Sequence, residues 1–223
     1  YAHSAIVSSK ETIQSEGPWG VSDKVFNYTV FNSGSLSKYI LRKVPYDFEY
    51  ADIQAGIGTP HAVYAEFTAD ETLLVRAEAQ ALLGHYAEAL DDLNTELAAF
   101  SREGVQLTLD DVKKFYSDDV TAYYTPEKPT PRKAFHTTFA ISKDTEEPML
   151  QCILHLRRIM TIHEGLRMQD VKRYGITIYR RDVKSNYKIT GITDTMEVRD
   201  PRLAIQLPQD VITAGVTPNP RNK

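Results

Sequence analysis

The sequence predicts a mainly α fold built on a helical hairpin and a long C-terminal helix, with extensive irregular loops and a few short strands. Three observations predict it. The run "TADETLLVRAEAQALLGHYAEALDDLNTELAAF" carries helix start and stop signals around evenly spaced small residues. From Met149 to Tyr174 apolar residues recur at helical spacing. Elsewhere Gly, Ser and Pro cut the chain into apolar pieces too short for helices.

Residues 1–67 alternate short apolar pieces, such as "KVFNYTVF" and "KYILRKV", with Gly, Ser and Pro, which predicts loops and extended segments with little helix. Within 68–120, Thr68 caps a first helix with Glu71 three places on, and Gly84 ends it. Antiparallel helices over about 69–83 and 86–100 follow. Ala77, Ala79, Ala81, Ala87 and Ala89 allow close packing, and the G-x-Y-x-x-A of Gly84, Tyr86 and Ala89 resembles the turn of a tetratricopeptide hairpin. Leu73, Leu74, Leu82, Leu90, Leu93 and Leu97 offer more apolar surface than one hairpin hides against loops, which predicts cover from a second chain or a further part of the protein. Thr108, followed by Asp110 and Asp111, introduces a short helix from Leu109 to Tyr116. Residues 121–144 are a Pro-rich loop containing "YYTPEKPTPRKAF". The long helix opens segment 145–223 and stops at Gly175. Beyond it "ITIYRR" and "YKITGIT" read as strands and the remainder as an extended tail.

A chain of 223 residues with net charge -4 can bury one good core or two small ones. No apolar run approaches the roughly 20 residues needed to cross a bilayer. The start "YAHSAIVSSK" lacks the basic and then apolar layout of a signal peptide, so either the protein is cytosolic or its targeting segment is missing. Cys152, the single cysteine, cannot form an intramolecular disulfide and reads as a buried helical thiol. Mild acidity without basic blocks gives no electrostatic reason to expect nucleic acid as a partner.

Enzymatic and metal chemistry find no carrier. His163-Glu164 begins the zinc-protease pattern H-E-x-x-H, but Arg167 stands where the second histidine would bind. His155 and His163 lie about 12 Å apart along a helix axis, too far to share an ion. No G-x-S-x-G elbow, P-loop or G-x-G-x-x-G opens a helix. The Asp91-Asp92 and Asp110-Asp111 neighbours point about 100° apart and read as solvated or capping residues. No enzymatic activity, cofactor or metal is therefore expected.

Charges inside an apolar stripe are the anomaly. Turning about 100° per residue from Met149 gathers Leu150, Ile153, Leu156, Met160, Met168, Val171 and Tyr174 on one arc, and Arg157, Glu164 and Arg167 fall within it. Gln151, Arg158, Gln169 and Lys172 gather on the side that reads as solvated. Arg157, Glu164 and Arg167 are expected to be at least half buried in an ion network that ties the helix to the hairpin or the tail.

Several segments, in order, resemble the SusD/RagB family of glycan-binding outer-membrane lipoproteins. "LLVRAEAQALLGHYAEALDDLN" is similar to the family's helical hairpin. Arg157, Arg158, Glu164, Gly165, Arg167, Asp170, Val171, Arg173, Tyr174 and Gly175 are similar to its R-R, E-G-x-R and D-L-x-R-W-G run. Asp200-Pro201-Arg202, "LPQDVI" and Asn219-Pro220 are similar to its ending. The likeness covers about residue 68 to the end, and "SKYILRKV" resembles the strand before it. Met160, Tyr174 and Asp210 depart from the family's usual glutamate, tryptophan and glutamate, which weakens the expected network of Arg157, Glu164, Arg167, Asp170 and Arg173 more than the fold.

The resemblance implies a partial SusD-like α-superhelical fold, the C-terminal portion of a surface-exposed lipoprotein whose N-terminal half, signal peptide and lipidated cysteine lie outside this chain. It implies glycan binding without catalysis, and delivery to a TonB-dependent SusC-like transporter. Sugars stack on aromatic platforms beside polar groups, so Trp19 in "EGPWGVSD" is the first candidate contact and Tyr123 and Tyr124 the next. Trp19 equally suits a gap between loops and core. The alternative function is a tetratricopeptide-like protein-interaction module, which needs several tandem hairpins where one is clear.

Overall fold

The computed structural model of the chain describes residues 9–27, 30–33, 39–41, 46–63, 65–162, 164–184 and 188–221. Parts of "KVFNYTVF" and "KYILRKV" lie outside the described residues. A π-helical turn, Ser9–Ile13, leads into a two-residue hairpin of β1 (Glu16–Gly17) and β2 (Gly20–Val21), then the single turn α1 (Ser22–Val25). Two further antiparallel hairpins follow, β3 (Phe31–Ser33) with β4 (Tyr39–Leu41) and β5 (Tyr46–Asp52) with β6 (Ile57–Ala62). Helices α2 (Ala69–Leu82), α3 (Tyr86–Phe100), α4 (Leu109–Phe115), α5 (Glu146–Met160) and α6 (Arg167–Tyr174) come next. A last hairpin, β7 (Ile178–Val183) and β8 (Ile189–Met196), precedes a 3-10 turn and the short α7 (Gln209–Thr213).

With 39% helix and 17% strand the fold is mixed α/β, not the mainly α, SusD-like superhelical class that the sequence predicts. Among the described residues, four separate two-stranded sheets make the difference. The β5–β6 hairpin had a readable signal: aromatic Tyr46, Phe48 and Tyr50 alternate with Asp47, Glu49 and Ala51, the period of a strand. Asp52 Oδ1 then accepts from the backbone N–H groups of Gln54 and Ala55 at 2.9 and 3.0 Å, which fixes the turn.

Helix ends follow their local chemistry. Thr68 Oγ1 accepts from Glu71 N at 3.3 Å, and Thr108 with Asp111 forms a reciprocal capping box. Gly84, at φ 79°, closes α2. The predicted long helix is two helices. Thr161 caps α5 by donating its hydroxyl to Arg157 O at 2.8 Å, competing with continuation, and Gly165 at φ 84° turns the chain before α6. Gly175, at φ 58°, ends α6, and a Cβ there would run into the His136 carbonyl.

α5 is the central element. Thirteen of its fifteen residues are buried, because α2 and α3 cover one side and α4, the Pro-rich loop and the π-turn cover the others. Leu74, Leu93 and Leu97 are fully buried, and Leu82 and Leu90 pack partly buried against the same core. The apolar excess expected of the hairpin is thus largely met within the chain, by α5. Among the described residues no helix is long and apolar enough to cross a membrane.

Candidate functional site

Encircling α5 leaves polar side chains on several faces, and Arg157, His155 and Gln151 each have partners that explain them. Toward α2, Arg157 donates to Glu78 Oε2 at 2.6 Å, to Leu74 O at 3.1 Å and to Asp170 Oδ1 at 2.8 Å. Arg173 Nε and the Tyr174 hydroxyl both donate to Glu78 Oε1, at 2.9 and 2.6 Å. Arg167 reaches Asp170 at 3.3 Å. The cluster therefore ties α2, α5 and α6 together through Glu78, a residue that sequence reasoning did not single out. Glu164 lies in the α5–α6 connection, where the uninterrupted helical arc that placed it beside Arg157 does not hold. Burial works against ionisation of Glu78. The Arg157 charge, the Tyr174 hydroxyl and the Arg173 charge together outweigh it and hold the carboxyl below the usual range.

Toward the N-terminal segment, Trp19 is only 5% exposed. Its Nε1 donates to Ser22 Oγ at 3.0 Å, and its ring meets Phe26 edge-on at 5.8 Å and His155 at 4.9 Å. Gly17 leaves the space that the ring fills. A ring so enclosed offers no face to a sugar, which corrects the expectation that its loop displays it. Behind it runs an ordered chain of bonds. Ser15 donates to Thr12 O at 2.6 Å, so its oxygen accepts from His155 Nε2 at 2.8 Å, and His155 Nδ1 accepts from the Tyr116 hydroxyl at 3.0 Å.

That chain uses the neutral imidazole at both nitrogens. Burial first, then the charges of Arg158 and Lys133, push the His155 pKa well below its ordinary value. In the unfolded chain the group titrates near 6.5. Its contribution to stability is then complete above about pH 6.5 and is lost as the pH falls toward the folded-state value, by about 1.4 kcal/mol per unit. Urea unfolding from pH 7.5 to 5 should show this loss, and His155→Gln should flatten that part of the profile. An unchanged slope in the variant would contradict the assignment.

Toward the Pro-rich loop, Gln151 clamps the backbone of Lys133, accepting from its N–H at 2.9 Å and donating to its carbonyl at 2.5 Å. Gln151 is thus buried, where the helical wheel had put it in solvent. Tyr123 donates to Glu147 at 2.5 Å and accepts from Arg132 at 3.0 Å, with the Arg132 guanidinium 3.9 Å over its ring. Burial, and then the Glu147 hydrogen bond, push the Tyr123 pKa up to about 12. This tyrosine fastens the loop to α5 and its ring is already occupied, so it too departs from the expected sugar platform. Tyr124 is similarly engaged: Lys133 Nζ lies 3.4 Å from its ring centre, Tyr179 stacks at 5.4 Å, and Arg181 donates to its hydroxyl at 2.9 Å.

Tyr124 nevertheless lines a cavity of about 590 Å³ between α5, α6, β7 and the π-turn. Its walls are of two kinds: Met168, Val171, Ile176 and Ile178 are apolar, whereas Lys133, Arg158, Arg167, Arg180 and Arg181 bring positive charge against the single carboxylate of Glu11. A register shift between Arg180 and Arg181 breaks the alternation of β7, and both arginines reach the cavity wall. Arg181 is a structural hub: it donates to Pro126 O and Thr125 O, each at 2.7 Å, and pairs with Glu11 at 3.2 Å. Of the residues singled out from the sequence, Tyr124 and Arg167 meet here, while Trp19 and Tyr123 face elsewhere. The cation wall was not legible, because its members come from four elements, the Pro-rich loop, α5, α6 and β7, that only the fold brings together.

Among the described residues no group of three or more His, Cys, Asp or Glu side chains is placed to hold a metal ion. His163, of the His163-Glu164 pair, lies outside the described residues. Cys152 is buried, and its thiol pKa is pushed up by burial, which leaves it a poor nucleophile. Compared with known proteins, the chain matches no family model, no curated protein and no solved structure.

Proposed function

We propose that the chain is the C-terminal portion of a SusD/RagB-like lipoprotein, and that it binds a glycan without catalysis in the cavity between α5, α6 and β7. In this reading the sugar passes to a TonB-dependent SusC-like transporter at the outer membrane, where a lipidated cysteine outside this segment tethers the protein. The observation that carries the binding reading is the cavity itself. Its volume of about 590 Å³ falls in the range of ligand pockets, roughly 300–1,000 Å³, and it joins apolar walls and the edge of Tyr179 to a row of hydrogen-bond donors. Apolar walls suit the C–H faces of a pyranose, and arginine and lysine suit its oxygens. The family reading is supported by contact between the segments that carry the resemblance. Glu78 of "RAEA" receives its hydrogen bonds from Arg157, Arg173 and Tyr174 of the R-R and D-V-x-R-Y-G run.

Isothermal titration against neutral and acidic oligosaccharides, followed by mass spectrometry of the recovered sugars, tests this. Binding with Kd on the order of micromolar to millimolar and return of the sugars intact is the expected result. Shortened or altered sugars would show turnover and sink the non-catalytic reading. No binding across the panel would remove the glycan.

A further inference from the structure

Five cations, Lys133, Arg158, Arg167, Arg180 and Arg181, line the cavity beside the one carboxylate of Glu11. Glu11 is committed to Arg181, whose remaining donors are held by Tyr124, Thr125 and Pro126. Arg167 shares Asp170 with Arg157. Lys133 is the decisive residue. It is 6% exposed and lines the cavity, yet among the described residues no carboxylate lies within ion-pair distance of its Nζ. One of its three donors reaches Thr130 O at 2.6 Å, the Tyr124 ring centre lies 3.4 Å from its Nζ, and Glu11 attracts it electrostatically without forming an ion pair. Buried cations are ordinarily paired, and a buried ammonium such as that of Lys133 costs stability without an ion-pair partner unless something else supplies one.

We propose that this cavity holds an oxyanion, the carboxylate or sulfate ester of an acidic sugar, between Lys133 and the guanidinium groups of Arg158, Arg167 and Arg180. The proposal rests on the glycan reading for the sugar body and on the charge pattern for the acidic group. Gln151 fixes the Lys133 backbone from both sides, so the ammonium is positioned before a ligand arrives. Arg180 is exposed at the rim, where it meets an incoming anion first. Burial, followed by the charges of Arg158 and Arg167, pushes the Lys133 pKa well below its ordinary value, against a smaller upward pull from Glu11. Arg181 and the Tyr124 ring complete its surroundings. An oxyanion entering among these groups favours the ammonium form.

Calorimetry of the full chain with trigalacturonate, a sulfated disaccharide, maltotriose and inorganic sulfate decides it, paired with reductive methylation of Lys133 read by mass spectrometry. The two acidic sugars are expected to bind at least tenfold more tightly than maltotriose and to shield Lys133 from methylation. Lys133→Met and Arg180→Gln are each expected to weaken acidic-sugar binding tenfold or more. Arg180 is exposed, so its variant reports on binding without a folding defect. Maltotriose binding as tightly as the acidic sugars, with Lys133→Met binding normally, overturns the oxyanion site and leaves the glycan reading standing. Inorganic sulfate shielding Lys133 while no oligosaccharide binds upholds the anion site and overturns the glycan reading. Failure of every anion to bind or shield overturns this inference outright.

Discussion

Glu78→Ala is expected to lower the free energy of unfolding by about 3–5 kcal/mol. The carboxylate accepts from Arg157, Arg173 and Tyr174 at 2.6–2.9 Å, and removing it leaves the buried Arg157 guanidinium with Asp170 as its one remaining carboxylate and the buried Tyr174 hydroxyl without its acceptor. The loss falls on three helices at once, because Glu78 belongs to α2, Arg157 to α5 and Tyr174 to α6. The same carboxyl gives a pH signature. Its folded pKa lies below the unfolded value of about 4.3, so its contribution is fully present above that pH and is lost as the pH falls through the folded value. Guanidinium unfolding of parent and variant at pH 7 and pH 3 measures both effects, and the difference between the two proteins should shrink at the lower pH. A comparable penalty for Lys113→Ala, whose partner Asp144 is exposed, would contradict the argument that burial sets the size of the effect.

Trp19→Ala is expected to cost about 3–5 kcal/mol, the range for deleting a large buried ring. The indole fills the space between Gly17, Phe26 and His155 and has its N–H satisfied by Ser22, so no rearrangement of one neighbour can close the cavity left behind. Thermal unfolding measures this directly. A variant as stable as the parent but unable to bind oligosaccharide would restore Trp19 as a displayed platform.

Local signals in the sequence placed the elements that depend on local chemistry. Thr68, Gly84, Thr108 and Gly175 mark helix ends whose caps satisfy nearby backbone groups, and the predicted bounds of α2, α3 and α4 lie within one residue of those observed. "ITIYRR" and "YKITGIT" fall on β7 and β8. The break at Thr161 escaped because the apolar period runs on in the residues of α6, although the helix axis changes between them. The β5–β6 alternation was overlooked among the Gly and Pro of its surroundings, and with the other small hairpins it shifts the fold to mixed α/β. The site was harder to read for a different reason. A helical wheel assigns one buried face to a helix, and α5 is enclosed on nearly all of them, so Gln151 looked peripheral and is central. Trp19 illustrates the limit most plainly: its loop position suggested display, and only packing against His155, 136 residues away in sequence, shows enclosure.

The central claim is that ligand chemistry lies in the cation-lined cavity and not on Trp19 or Tyr123. Heteronuclear NMR of the uniformly labelled chain, titrated with the tightest-binding oligosaccharide of the panel, tests that claim most directly. The account predicts shift changes concentrated at Tyr124, Lys133, Arg167, Val171, Tyr179 and Arg180, with Trp19 and the exposed β5–β6 hairpin unmoved. Changes centred on Trp19, on Tyr123 or on the exposed Tyr50 and Ile57, with the cavity residues still, would contradict it.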